Sequence, residues 1–191
     1  MIPKIIHQIW LSDSITIPKQ YAEMSKSWAK FNPDFEHIVW DERVYDEFGG
    51  KEYLFEKYHL DGVHPAQVSD IMRLKLIQKY GGLYTDIDCE CFQSIEPLLV
   101  NEFVGYCYGY TSDKVLISFE SFAAIPDQRI VNRVLDLIEY HINDVDMSLL
   151  WKFGFRRFQD TIITEMSNDI TIYGPVVIAP YWKHHFYNSW I

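Results

Sequence analysis

The chain has 191 residues and a mass of 22.7 kDa, enough for one domain over residues 1–191 with a sizeable core. At 48% hydrophobic and 16% aromatic it is not a disordered chain. A formal charge of −10, with Arg156-Arg157 as the longest basic cluster, argues against a protein that grips a nucleic-acid backbone.

In chain order, Ile5 to Trp10 is a short apolar run that fits a buried first strand. Pro18 can open a helix whose apolar side is Tyr21, Met24 and Trp28, ended by Asn32-Pro33. Phe35 to Trp40 reads as a second strand. Asp41 can cap a short helix to Phe48, stopped by Gly49-Gly50, and another short helix covers Glu52 to Tyr58 before the turn Asp61-Gly62. Pro65 then suits a first helical position, and Val68, Ile71, Met72 and Leu76 give a helical apolar face that ends at Gly81-Gly82.

From Leu83 to Asp88 the pattern alternates, which puts Tyr84, Asp86 and Asp88 on one side of a strand and Cys89 and Cys91 on the other. Strands are expected at Phe103–Tyr108 and Val115–Phe119, and a helix capped by Asp127 with Ile130, Val131, Val134, Leu137, Ile138 and His141 inward. An aromatic-rich helix is expected over 147–166, and strands at Ile170–Tyr173 and Val176–Ile178. Interleaved helices and strands imply an α/β domain on a mixed, mainly parallel sheet. Such sheets bind ligands beyond the carboxyl ends of their strands, where Asp86 and Asp88, and also His7, Gln8 and Trp10, would lie.

The aspartate pair says little by itself. With 15 aspartates in 191 residues, about one Asp-x-Asp triplet arises by chance, and Asp144-Val145-Asp146 is a second that reads as a solvated turn. The first is set apart by its place at a strand end, after a helix that carries Ser69, Asp70 and Arg73. Asp70 and Arg73 share a helix face, so an intrahelical ion pair is the plain alternative. Three cysteines without a Cys-x-x-Cys pair argue against a disulfide framework or a zinc site. No signal peptide and no apolar run of membrane-spanning length is visible, so the expected setting is cytoplasmic.

IPKIIHQIW, SDIMRLKLIQKYGGLYTDIDCECF and HHFYNSW together resemble the DXD-containing sugar transferases of glycosyltransferase family 32. That group includes capsular-polysaccharide and Golgi-type mannosyl-, galactosyl- and N-acetylglucosaminyltransferases. The central segment is also similar to the catalytic domains of the large glucosylating cytotoxins.

The resemblance implies a GT-A fold, a nucleotide-sugar donor, a saccharide acceptor and Mn2+ or Mg2+. It implies that Asp88 holds the metal, with Asp86 reaching it through water and contacting ribose or sugar. Asp70, Arg73 and Tyr84 would position the sugar, and Trp10 would stack on the base with Gln8 nearby. His184 or His185, Ser189 and Trp190 would face the metal or the leaving diphosphate. It further implies retention of configuration, and the toxin-like segment leans toward a UDP-sugar. One departure stands out: where relatives carry a sugar-contacting asparagine, this chain offers Glu120 and Ser121. A catalytically weak nucleotide-sugar-binding domain is one alternative reading. A two-metal nucleotidyl- or phosphotransferase is another, although its usual companion motifs are absent. Trp151, Phe153 and Phe155 are candidates for core packing, or for an acceptor surface or peripheral membrane contact.

Overall fold

The computed structural model describes residues 1–12, 16–110, 115–143 and 154–185. Nine strands are described: β1 Ile5–Ile9, β2 Glu36–Trp40, β3 Gly82–Thr85, β4 Cys89–Cys91, β5 Phe103–Tyr110, β6 Val115–Ile117, β7 Ser121–Ala124, β8 Ile170–Tyr173 and β9 Trp182–His184. The α-helices are α1 Lys19–Phe31, α2 Lys51–Tyr58, α3 Pro65–Tyr80, α4 Arg129–His141, α5 Phe155–Thr164 and the single turn α6 Pro175–Ile178. The main sheet has the order β2-β1-β3-β7-β5-β6, with β8 also on β5, and β4 and β9 form a separate ribbon.

The expected mixed α/β sheet is present, with a larger antiparallel share than the sequence implied. β1 is parallel to β2 and β3, and β5 to β8, while β7 runs antiparallel between β3 and β5. Alternation of side chains divides the core. One layer holds Ile9, Tyr84, Phe103 and Phe122 under α3, α4 and α5. The other holds Ile6, Leu83, Val104 and Trp182, with Trp28 of α1. Trp28 also donates its indole N–H to the Cys89 carbonyl at 2.8 Å, tying α1 to the ribbon.

Several expectations need correction. The strand after the double glycine ends at Thr85, and Asp86 to Asp88 form a turn before β4. Alternation alone could not see this, because the ladder with the partner β7 ends at the pair Thr85–Ser121. Val176–Ile178 lies in a helical turn because Pro175 stands at its first position. Gln128, not Asp127, caps α4 by accepting from the Ile130 N–H, while Asp127 takes a left-handed φ of 53°. The short segment Glu42–Phe48 is a 3-10 helix, capped by Asp41 as expected. Strands β7 and β9 were not anticipated. Residues 144–153, which include Asp144, Asp146, Trp151 and Phe153, lie outside the described set.

The double glycine brings β3 close to its neighbours. At Gly82, with φ of 93°, an added Cβ would lie 2.5 Å from the Ile5 carbonyl oxygen, so only glycine fits. His7 seals the same region: it is fully buried, its Nε2 donates to the Gly81 carbonyl at 3.0 Å, and its Nδ1 accepts from the Trp40 indole at 3.1 Å. Burial lowers its pKa to about 4, against the smaller raising effect of the Gly81 carbonyl. The unfolded chain therefore takes up this proton from pH 6.5 downward while the folded chain does not. His7 thus supports the fold fully above pH 6.5 and loses about 3 kcal/mol of that support as pH falls to 4. Urea titrations at several pH values should show a shallower acid loss for His7→Gln than for the native chain.

Candidate active site

The turn at Asp86-Ile87-Asp88 is held from several sides. The Asp86 N–H donates to the Glu120 carbonyl at 2.8 Å, and the Asp86 carbonyl accepts from the Cys89 N–H at 3.1 Å. It also accepts from Gln8 Nε2 at 3.1 Å. Gln8 Oε1 in turn accepts from the Ser25 hydroxyl at 2.6 Å and from His37 Nε2 at 2.9 Å. Gln8 is completely buried, so the donor contact expected of it gives way to a bracing role. Trp10 is 9% exposed and packs with Tyr21 and Ile87 beneath the turn, which leaves little ring surface for base stacking.

Helix α3 supplies the next group. Arg73 is buried, and its Nη2 lies 2.7 Å from Asp70 Oδ1 and 3.4 Å from Asp86 Oδ1. Its Nη1 donates to the Phe119 carbonyl at 2.7 Å, and the guanidinium sits over the Tyr84 and Phe119 rings at 4.7 and 4.6 Å. The Tyr84 hydroxyl donates to the same Asp86 Oδ1 at 2.8 Å. Asp70, Arg73, Tyr84 and Asp86 are thus brought together as the sequence predicted. The intrahelical ion pair exists as well, as one arm of this larger cluster.

Ribbon β4–β9 adds the third group, since His184 pairs in register with Cys89. His184 Nε2 lies 3.1 Å from Asp88 Oδ1, and its Nδ1 is 3.7 Å from Glu120 Oε1. His185 turns elsewhere: its N–H donates to the Asp88 carbonyl, but its imidazole meets Glu90 at 3.0 Å. His184, not His185, is the imidazole at the carboxylates. Of the Glu120-Ser121 pair, Glu120 faces the cluster, whereas Ser121 is buried against Thr85. Ser189 and Trp190 lie outside the described residues. Ser25 and His37 were missed in the sequence; the available signal was a serine between Tyr21 and Trp28 on the buried side of α1.

Four carboxylates, Asp70, Asp86, Asp88 and Glu120, share Arg73 and His184 as cationic partners. Burial raises Asp70 to about 7 against the pull of Arg73, with Asp86 adding to the rise. Burial raises Asp86 too, opposed by Arg73 and reinforced by Asp88. For His184, burial works to lower the pKa, but the Asp88 hydrogen bond and the surrounding carboxylates hold it above the ordinary value. The cluster carries more negative charge than its partners neutralise, a condition that a bound divalent cation relieves.

A cation-sized set is available. One ligand atom each of Asp88, Cys89 and His184 lies within 4.8 Å of the others. Burial, with the Asp86 charge next, keeps the Cys89 thiol well above its usual pKa, so it stays protonated and is a poor ligand for a hard cation. Asp88 and His184 are therefore the residues that would hold such an ion.

Residues 18–104 match the profile of the family described as "glycosyltransferase sugar-binding region containing DXD motif". That match covers a little under half of the chain. The chain is 34% identical over 100 residues to inositol phosphoceramide mannosyltransferase 3 of Schizosaccharomyces pombe, covering 51% of this chain and 27% of that one. It spans about a quarter of the length of the first curated relatives it matches. Among solved structures, PaToxG glycosyltransferase superposes with a TM-score of 0.65 at 21% identity, over 86% of this chain and 70% of that chain. The UDP-bound glycosyltransferase domain of the YGT toxin gives 0.58 at 11% identity, over 90% and 79%. The fold is GT-A, as the resemblance implied. Its DXD turn sits at the carboxyl end of β3, and DXD glycosyltransferases of this fold generally use a divalent metal.

Proposed function

We propose that this domain transfers a sugar from a nucleotide-sugar donor, a UDP-sugar by preference, to a hydroxyl of a saccharide or glycolipid acceptor with retention of configuration. The observation that carries this reading is the meeting of Asp88 and His184 beside the Asp70–Arg73–Asp86 cluster at the end of a central strand. Mn2+ or Mg2+, when bound, neutralises the donor diphosphate and stabilises it as it leaves.

Asp88 and His184 hold that side of the site. Arg73 fixes Asp70 and Asp86 with their oxygens toward the donor ribose and sugar, and Tyr84 holds Asp86 from the other flank. The bond between the anomeric carbon and the diphosphate oxygen breaks, and a bond from that carbon to the acceptor oxygen forms on the same face. The hydroxyl proton passes to the departing phosphate oxygen. Preorganised groups of this kind matter because the developing charge lies on the leaving group.

The UDP-bound toxin neighbour supports a uridine donor, and the mannosyltransferase relatives make GDP-mannose the main competitor. Their names also make an inositol phosphoceramide headgroup a candidate acceptor. No described helix is long and apolar enough to cross a membrane, and three free, buried cysteines accord with a reducing, cytoplasmic setting. A thermal-shift screen of UDP-glucose, UDP-galactose, UDP-N-acetylglucosamine and GDP-mannose should show one donor raising the melting temperature with Mn2+ and much less without it. Slow hydrolysis of that donor should follow in the absence of acceptor. Equal shifts with and without metal, or binding with no turnover, would turn the reading toward a binding domain.

A further inference from the structure

Behind the turn that carries Asp86 and Asp88 lies a closed set of polar side chains drawn from three elements. Gln8 of β1 is fully buried, Ser25 of α1 is nearly so, and His37 of β2 is half-buried. Burying polar groups is unfavourable unless each one is paired. Trp10, Tyr21 and Ile87 already supply apolar packing at this turn, so filling space does not account for the polar set.

Its pairing does. The Asp86 carbonyl can only accept, so Gln8 turns its amide N–H toward it at 3.1 Å. That leaves Gln8 Oε1 facing the Ser25 hydroxyl at 2.6 Å and His37 Nε2 at 2.9 Å. Both must then donate, which fixes the proton of a neutral His37 on Nε2. Burial lowers the His37 pKa and so favours the neutral ring. A flipped amide would set Oε1 against the Asp86 carbonyl oxygen and its N–H groups against two donors. Donors on α1 and β2 thus choose the orientation of one amide on β1.

The consequence reaches the carboxylates through the backbone. The Asp86 N–H is held by the Glu120 carbonyl, and the Asp86 carbonyl by Gln8 and the Cys89 N–H. With both peptide groups fixed, the Asp86 carboxylate meets Tyr84 and Arg73, and Asp88 meets His184.

We infer that Ser25 and His37 are positioning residues for the metal side of the site, acting through the Gln8 amide on the turn from Asp86 to Asp88. The ion and donor are those of the glycosyltransferase reading, on which this rests, but the test reads tautomer and binding instead of turnover. In the metal-free protein near neutral pH, long-range 1H–15N NMR should show His37 protonated at Nε2, a preference that Gln8→Met should abolish. Mn2+ titrations with UDP present, followed by electron paramagnetic resonance, should give a Kd about tenfold higher for Gln8→Met. Ser25→Ala and His37→Leu should each raise it about threefold, the worth of one neutral hydrogen bond. Ser25→Ala added to Gln8→Met should raise it no further, because the path through the amide is already cut. A purely structural role would lower the melting temperatures and leave the Kd of the folded variants unchanged. That outcome overturns the inference, as does a native His37 protonated at Nδ1, or an added effect of Ser25→Ala on Gln8→Met. Ser25→Ala removes only a hydroxyl from a helix, so its Kd and the native His37 tautomer decide the matter even if Gln8→Met does not fold. Failure of the native chain to bind Mn2+ and UDP is a separate result, and it overturns the glycosyltransferase reading together with this inference.

Discussion

Replacing Asp88 with asparagine should reduce sugar transfer by about a thousandfold or more, because the carboxylate hydrogen-bonded to His184 Nε2 is lost from the diphosphate side of the site. The shape is kept and the amide oxygen still accepts from the imidazole. The melting temperature should therefore move by no more than about 4 °C, the equivalent of 1 kcal/mol for a domain of this size. The neutral side chain cannot anchor a divalent cation, so the dependence of donor binding on Mn2+ should vanish with the activity. Steady-state assays and thermal melts on the same preparation check both halves. Normal turnover by Asp88→Asn would remove the basis for the proposed function.

Arg73→Met should act on stability as well as on transfer. The native guanidinium is almost fully buried and offsets Asp70 and Asp86 together, while also holding the Phe119 carbonyl and resting on two aromatic rings. Removing one partner of a buried ionic group leaves uncompensated charge, which typically costs about 3–5 kcal/mol. The burial that already raises Asp70 and Asp86 would then act unopposed, so part of this loss should be avoided by protonation at low pH. Urea unfolding at pH 5 and pH 8 would show it, with the larger deficit at the higher pH. The double variant Asp70→Asn, Arg73→Met should recover part of the stability without recovering transfer. A loss below 1 kcal/mol would mean that the cluster is far better hydrated than its burial implies.

Much of this site could be read from the sequence because its determinants are local. Asp70 and Arg73 are one helical turn apart, the double glycine fixes where α3 stops, and Asp86 and Asp88 follow within eight residues. What the sequence concealed depends on long-range pairing. The alternation through Asp88 was misleading because the end of β3 is set by β7, which pairs from Ser121 onward. The choice of His184 over His185 depends on the register of β9 against β4, nearly a hundred residues away. Gln8 looked like a ligand contact because it closes a strand at the ligand-binding end of the sheet. Only the positions of Ser25 and His37 reveal that its amide is engaged inside the protein. Glu120 was recognised as a departure from the family pattern, but its approach to His184 needed the folded chain.

Anomalous diffraction from a crystal grown with Mn2+ and UDP addresses the whole account at once. A manganese peak coordinated by an Asp88 carboxylate oxygen and His184 Nε2, with both phosphates of UDP on its open side, is the result expected. A peak placed elsewhere, or UDP bound away from the turn at Asp86 to Asp88 with His184 still closed on Asp88, would contradict it.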